Sequence, residues 1–237
     1  MDNPASAAGA ISWRVQGSPV VTVILSALCG TSWMLPLPWL GPLLSLVFVG
    51  LVLSRKGRWS RYLAAFAYYA AGSIGLVRGV AVFFGAHAPV WEGAFLWLGS
   101  AALLAVGWAF AARPWKAALV LLFDAFVPPL SFFDWLSPLS AAGVLYPALG
   151  LAGLLFTIET ILLFFARGTP WFLRLFLLCL PVLCNLWPGH SVAPAGWIGV
   201  NLHVGPAVPN VLANMERHTA ILRETREASH GAKVVLL

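Results

Sequence analysis

Three ionisable side chains stand inside long apolar runs: Arg78, Asp124 and Glu159. An ion at the centre of a lipid-embedded helix costs about 2.5–3.5 kcal/mol on insertion scales, so such groups face a bundle interior or a wet cavity, pair, or neutralise. Asp124 is expected near mid-depth, with Arg78 and Glu159 toward opposite ends, and an Arg78–Asp124 pair is geometrically allowed because arginine can extend along its helix. These candidate intramembrane polar residues support two readings, a polar ligand path or interhelical ties. Asp124 also precedes Phe126-Val-Pro-Pro-Leu130, where two prolines must bend or end a helix. The other reactive residue types point away from chemistry. Cys29, Cys179 and Cys184 lie in apolar segments without metal-ligand spacing and read as small buried hydrophobes. His190 and His203 have no cysteine or carboxylate at ligand spacing, and His218 reads as a half-buried packing residue. There is no phosphate loop and no nucleophile elbow. No catalytic, cofactor-binding or metal-binding residue is expected, and no cofactor.

The elements holding these residues follow from composition. The chain has 237 residues, 60% hydrophobic and 9% charged, against about 25% charged in soluble domains. A helix needs about 20 apolar residues to cross the hydrocarbon core. The candidate runs are Pro19–Leu35, Trp39–Leu53, Tyr62–Phe84, Trp91–Ala112, Ala117–Phe133, Ser140–Ala166 and Trp171–Trp187. The expected fold class is therefore an all-α polytopic membrane bundle of about seven transmembrane helices over residues 1–187. The first two runs, parted only by Pro36-Leu37-Pro38, could instead form a partly re-entrant pair.

Charge placement orients the bundle. Arg14; Arg55, Lys56, Arg58 and Arg61; Arg113 and Lys116; Arg167 and Arg174 fall in alternate connections. The intervening ones carry His87, Glu92 and Asp134 and no Lys or Arg. This positive-inside asymmetry predicts a multi-pass inner-membrane protein with a cytoplasmic N-terminus and a periplasmic tail. The net charge of +6 thus orients helices, and no direct nucleic-acid binding is expected; the expected partner is the lipid bilayer.

Residues 188–237 differ in kind. A turn-rich linker, Pro188–Pro194, leads to a strand at Trp197–His203. The spacing of Val211, Met215, His218, Leu222 and Thr225 predicts a helix to about Ser229 with one semi-apolar face. His230-Gly231 supplies a stop, and Lys233–Leu237 reads as a buried strand. Such a β–α–β fragment of about 50 residues is too small to fold alone.

The phrases Gly196-Trp-Ile-Gly-Val-Asn-Leu-His203, Asn214-Met-Glu-Arg-His218 and Gly231-Ala-Lys-Val-Val-Leu-Leu237 resemble the first strand, helix and second strand of the nitrilase superfamily of carbon–nitrogen hydrolases. A helical membrane domain feeding such a sandwich looks like apolipoprotein N-acyltransferase, and still more like the related TraB family of conjugal transfer proteins. The resemblance implies a Glu–Lys–Cys triad in which cysteine attacks a carbonyl, the glutamate following the second strand. Glu216, Glu224, Glu227, Lys233, Cys179 and Cys184 do not match those positions. The expectation is a TraB-type protein of plasmid conjugal transfer, truncated before its catalytic residues and not active as an enzyme, with other conjugal-transfer proteins as partners. One alternative is the membrane portion of an N-acyltransferase-like enzyme, holding a phospholipid near Trp91, Trp135 and Trp187. The other is a small transporter or channel lined by Arg78, Asp124 and Glu159.

Overall fold

The structure, a computed structural model, describes residues 18–84, 89–186, 196–200 and 210–236. It is mostly helical. Ten α-helices are described: α1 (Pro19–Thr31), α2 (Leu40–Leu53), α3 (Arg58–Gly72), α4 (Leu76–Phe84), α5 (Val90–Ala109), α6 (Pro114–Phe126), α7 (Ala141–Leu145), α8 (Leu151–Phe165), α9 (Trp171–Leu186) and α10 (Val211–Ala228), with strands β1 (Trp197–Gly199) and β2 (Val234–Leu236) on either side of α10.

The expectation of about seven membrane-crossing helices is overturned. Among the described residues one helix, Val90–Phe110, is long and apolar enough to cross a bilayer; the apolar helices Pro19–Met34, Leu40–Leu53, Leu151–Phe165 and Trp171–Leu186 have 10–17 residues. At 1.5 Å per residue these reach about 25 Å or less, short of a hydrocarbon core of about 30 Å.

The physical reason lies in single residues that interrupt the hydrophobic runs. The run Tyr62–Phe84 breaks at Ser73-Ile-Gly75 into α3 and α4. The run Ala117–Phe133 ends at Phe126, because Pro128 and Pro129 cannot continue the hydrogen-bond ladder. Ser140–Ala166 splits after Leu145, where Pro147 precedes two left-handed positions, Ala148 (φ 67°) and Gly150 (φ 54°). Inside α9, Pro181 removes a donor. Asn185 Nδ2 donates to Pro181 O at 2.9 Å and to Val144 O at 2.9 Å, which ties α9 to the end of α7.

The chain divides into two compact units, Met1–Ile74 with Leu98–Gly189, and Gly75–Trp97 with His190–Leu237. In the first, α1 and α3 pack so closely that a Cβ on Gly30 would overlap the Tyr68 carbonyl. A Cβ on Gly72 would fall 2.9 Å from Gly30 O and 2.7 Å from Leu136 Cδ1. Thr22 and Ser26 on α1 are buried, as are Ser45 on α2 and Thr157 on α8. The outward faces are apolar, with Val20, Ile24 and Leu28 exposed on α1, Leu151 and Leu155 on α8, and Phe172, Phe176 and Leu183 on α9.

In the second unit β1 and β2 pair in parallel, with Trp197 opposite Val234 and Gly199 opposite Leu236. Asn210 caps α10 by accepting from Leu212 N at 2.9 Å, a standard N-terminal arrangement. No residue of α10 is buried. On its semi-apolar side Val211, Met215, His218 and Leu222 are exposed and Thr225 is half-buried.

Candidate functional site

The polar interior of the first unit is built around two adjacent tyrosines on α3. Tyr68 and Tyr69 are both fully buried, and a buried tyrosine needs a partner for its hydroxyl. Tyr68 accepts from Trp33 Nε1 at 2.8 Å and donates to the Leu136 carbonyl at 2.8 Å. Tyr69 accepts from Trp108 Nε1 at 3.0 Å. Phe48 of α2 fills the space between them, stacked on Tyr68 with ring centroids 4.0 Å apart and edge-on to Trp108 at 5.0 Å. The two hydroxyls therefore bind α3 to the turn after α1, to α5 and to the segment after α6.

Asp124 lies beside this cluster. It sits on α6 with 2% of its surface exposed, and its Oδ2 has no hydrogen-bond partner among the described residues. Asp134, in the connection between α6 and α7, is within electrostatic reach of Asp124, and both acids are within reach of Tyr69. Burial raises the Asp134 carboxyl to about 6, with a Ser137 hydrogen bond pulling the other way. Asp134 Oδ1 is buried and unpartnered.

The remaining candidates fall elsewhere. Glu159 is exposed on α8, where its neighbour Thr160 meets the Tyr146 hydroxyl at 2.8 Å. Arg78 is exposed on α4 and belongs to the second unit, Asp124 to the first. Cys29 is buried, Cys184 partly so, and Cys179 exposed; the expectation that all three are buried fails for Cys179. His218 is exposed rather than half-buried. His87, Trp187, His190 and His203 lie outside the described residues. No group of three or more potential metal ligands occurs among the described residues.

The site thus offers two carboxyls, two tyrosine hydroxyls and two indole donors in a largely buried setting. It can hold a proton or fix the packing of helices; among the described residues of the site no nucleophile stands beside a base. Sequence reasoning missed Tyr68, Tyr69, Trp108 and Asp134. A Tyr-Tyr pair in an otherwise apolar run was the available signal, since both hydroxyls demanded partners. It also missed Arg61, read as a loop charge. The residue is buried and donates to Ala109 O at 2.8 Å through Nη2, and to Arg55 O at 3.0 Å and Lys56 O at 2.9 Å through Nη1. It satisfies carbonyls left orphaned at two helix ends.

Comparison with known proteins bears on this chain's kinship. It is 31% identical over 182 residues to a probable conjugal transfer protein TraB of Sinorhizobium fredii, an alignment covering 74% of this chain and 46% of that protein. It is 28% identical over 199 residues to a conjugal transfer protein TraB of Agrobacterium fabrum, covering 72% and 43% respectively. The chain is similar to TraB proteins. These relatives, at 28–31% identity over about 73% of the chain, support the TraB family. The chain spans a little under half the length of the TraB relatives it matches. No family model and no solved structure matches it.

Proposed function

We propose that this protein is a TraB-type component of plasmid conjugal transfer, seated in a lipid bilayer and acting alongside other transfer proteins. The TraB relatives aligned over nearly three quarters of the chain carry the first part of this reading. Support for the lipid setting comes from the outward faces of the first unit. Its interior is apolar with a few buried serines, threonines and Asp124, yet leucines, valines and aromatics also cover the outside, where a water-facing surface would not carry so continuous an apolar face.

The tail is read as the opening of a carbon–nitrogen hydrolase-like layer. Its parallel strands joined through α10 support this, since parallel neighbours require a crossover of that kind. No catalytic role is assigned to any residue of this chain.

Deleting the gene in a donor strain tests the conjugation reading. Transfer frequency should fall and be restored by the gene supplied in trans; an unchanged frequency overturns it. The lipid setting is tested by alkaline carbonate extraction of cell membranes. The chain should stay in the pellet, and quantitative release into the supernatant overturns that part alone.

A further inference from the structure

Three connections of the first unit carry cations and no carboxylate: residues 54–61 (SRKGRWSR), 109–116 (AFAARPWK) and 166–174 (ARGTPWFLR). The fold gathers them at one end. Arg61 reaches from the first to the Ala109 carbonyl at the edge of the second. The Arg58 guanidinium lies over the Phe110 ring, 5.4 Å from its centroid. The third is drawn in through Phe165, whose ring edge would meet a Cβ on Gly50 at 2.8 Å, one turn before α2 ends. Arg174 is folded back onto this connection, donating to Ala166 O at 3.0 Å.

Each connection also presents a tryptophan beside its cations. Trp59, Trp115 and Trp171 are exposed, and Lys116 Nζ lies 5.4 Å from the Trp115 ring centroid. Exposed apolar side chains begin within about one turn of the cations: Leu63 on α3, Val106 on α5, Leu119 on α6 and Leu175 on α9. Cations and indoles together at one end, with aliphatic surface behind them, match the headgroup region and interior of a membrane.

We propose that this basic, tryptophan-rimmed end of the first unit is a docking surface for anionic phospholipid headgroups. A nucleic-acid strand would also be drawn to cations and aromatic rings. It would leave the aliphatic band behind them facing water, whereas an acidic lipid satisfies both layers. The proposal rests on the lipid setting argued above.

The test uses the full-length chain in mixed micelles, with energy transfer from its tryptophans to dansyl-labelled phosphatidylglycerol or dansyl-labelled phosphatidylcholine. Half-saturation by phosphatidylglycerol should need several-fold less lipid, and the preference should shrink in high salt. Each basic residue near an anionic surface is worth about fivefold. The combined variant Arg58→Gln, Arg113→Gln, Lys116→Gln should therefore narrow the preference, with Arg55, Lys56, Arg61, Arg167 and Arg174 still in place. None of the three is buried, and Arg61 stays in place, so the fold is kept; an unchanged melting temperature checks this.

Equal half-saturation by the two lipids in the parent chain overturns the proposal, as does a preference that is undiminished in the triple variant. So does an oligothymidylate that binds more tightly than phosphatidylglycerol and is lost with the same substitutions. A chain that resists carbonate extraction yet shows no headgroup preference removes the docking surface and leaves the lipid setting standing.

Discussion

The helical unit and the strand–helix–strand tail use their polar side chains in different ways. Inside the first, Tyr68, Tyr69, Trp108 and Asp124 are almost wholly buried, and helix contacts are set by glycines that admit no side chain. In the tail, α10 buries nothing and leaves Val211, Leu212, Met215 and Leu222 more than half exposed. One region is held by close fit and directional hydrogen bonds. The other has two three-residue strands and a helix, too little to enclose a core. The contrast locates where substitutions should hurt.

The largest effect is expected at the α1–α3 crossing. Gly30→Leu drives a side chain into the Tyr68 backbone, and neither helix can yield without opening the tyrosine cluster. A loss of more than about 3 kcal/mol is expected, read as aggregation in size-exclusion chromatography and a lowered melting temperature. Gly99→Leu is the control. A Cβ there meets nothing within 4 Å, and its melting temperature should match or exceed the parent's, leucine being the better helix former. Equal tolerance of both would mean that close helix approach does not organise this unit.

Next comes the hydroxyl that joins three segments. Tyr68→Phe keeps the ring stacked on Phe48 but strands the Leu136 carbonyl and the Trp33 indole N–H. The expected cost is about 1–3 kcal/mol, measured by thermal or denaturant unfolding in detergent. A cost near zero would show that water or lipid headgroups reach these groups.

How much of this could be read from the sequence depends on the length scale. The apolar runs were legible, and so was the break at Pro128-Pro129, because proline acts locally. The split after Leu145 was not: Ala148 adopts a positive φ that nothing in its identity announces. Hydropathy summed over a window also cannot see Ser73-Ile-Gly75 end one helix and begin another. The opposite-side placement of the tail depended on seven crossings and loses its support with that count. Asp124 was legible as an anomaly, but its neighbour Asp134, assigned to a loop, was not, since burial of a loop carboxylate is decided by packing between distant segments. The strand–helix–strand order of the tail was legible because the helical spacing from Val211 is cut off at Gly231.

Asp134 sharpens the comparison through pH. Its folded-state value of about 6 lies above the ordinary 3.8, so the folded chain holds this proton more tightly than the unfolded one. Its contribution to stability is complete below about pH 4 and is lost as pH rises through about 6. Melting temperatures of the parent chain, relative to Asp134→Asn, should therefore decline between pH 4 and pH 7. A constant difference across that range would show that the carboxyl is solvated rather than enclosed.

The smallest effect is expected on the open face of the tail. Leu222→Asp on α10 places a charge where the leucine is 69% exposed, and surface changes of this kind stay within about 0.5 kcal/mol. The matched truncation Leu121→Ala, at a fully buried position on α6, should cost about 2–5 kcal/mol. If Leu222→Asp instead approached the cost of Leu121→Ala, α10 would have to be covered in solution. The contrast between an enclosed bundle and an open tail would then belong to the isolated chain alone. If the two differ as expected, the apolar face of α10 is free to be covered by a further layer.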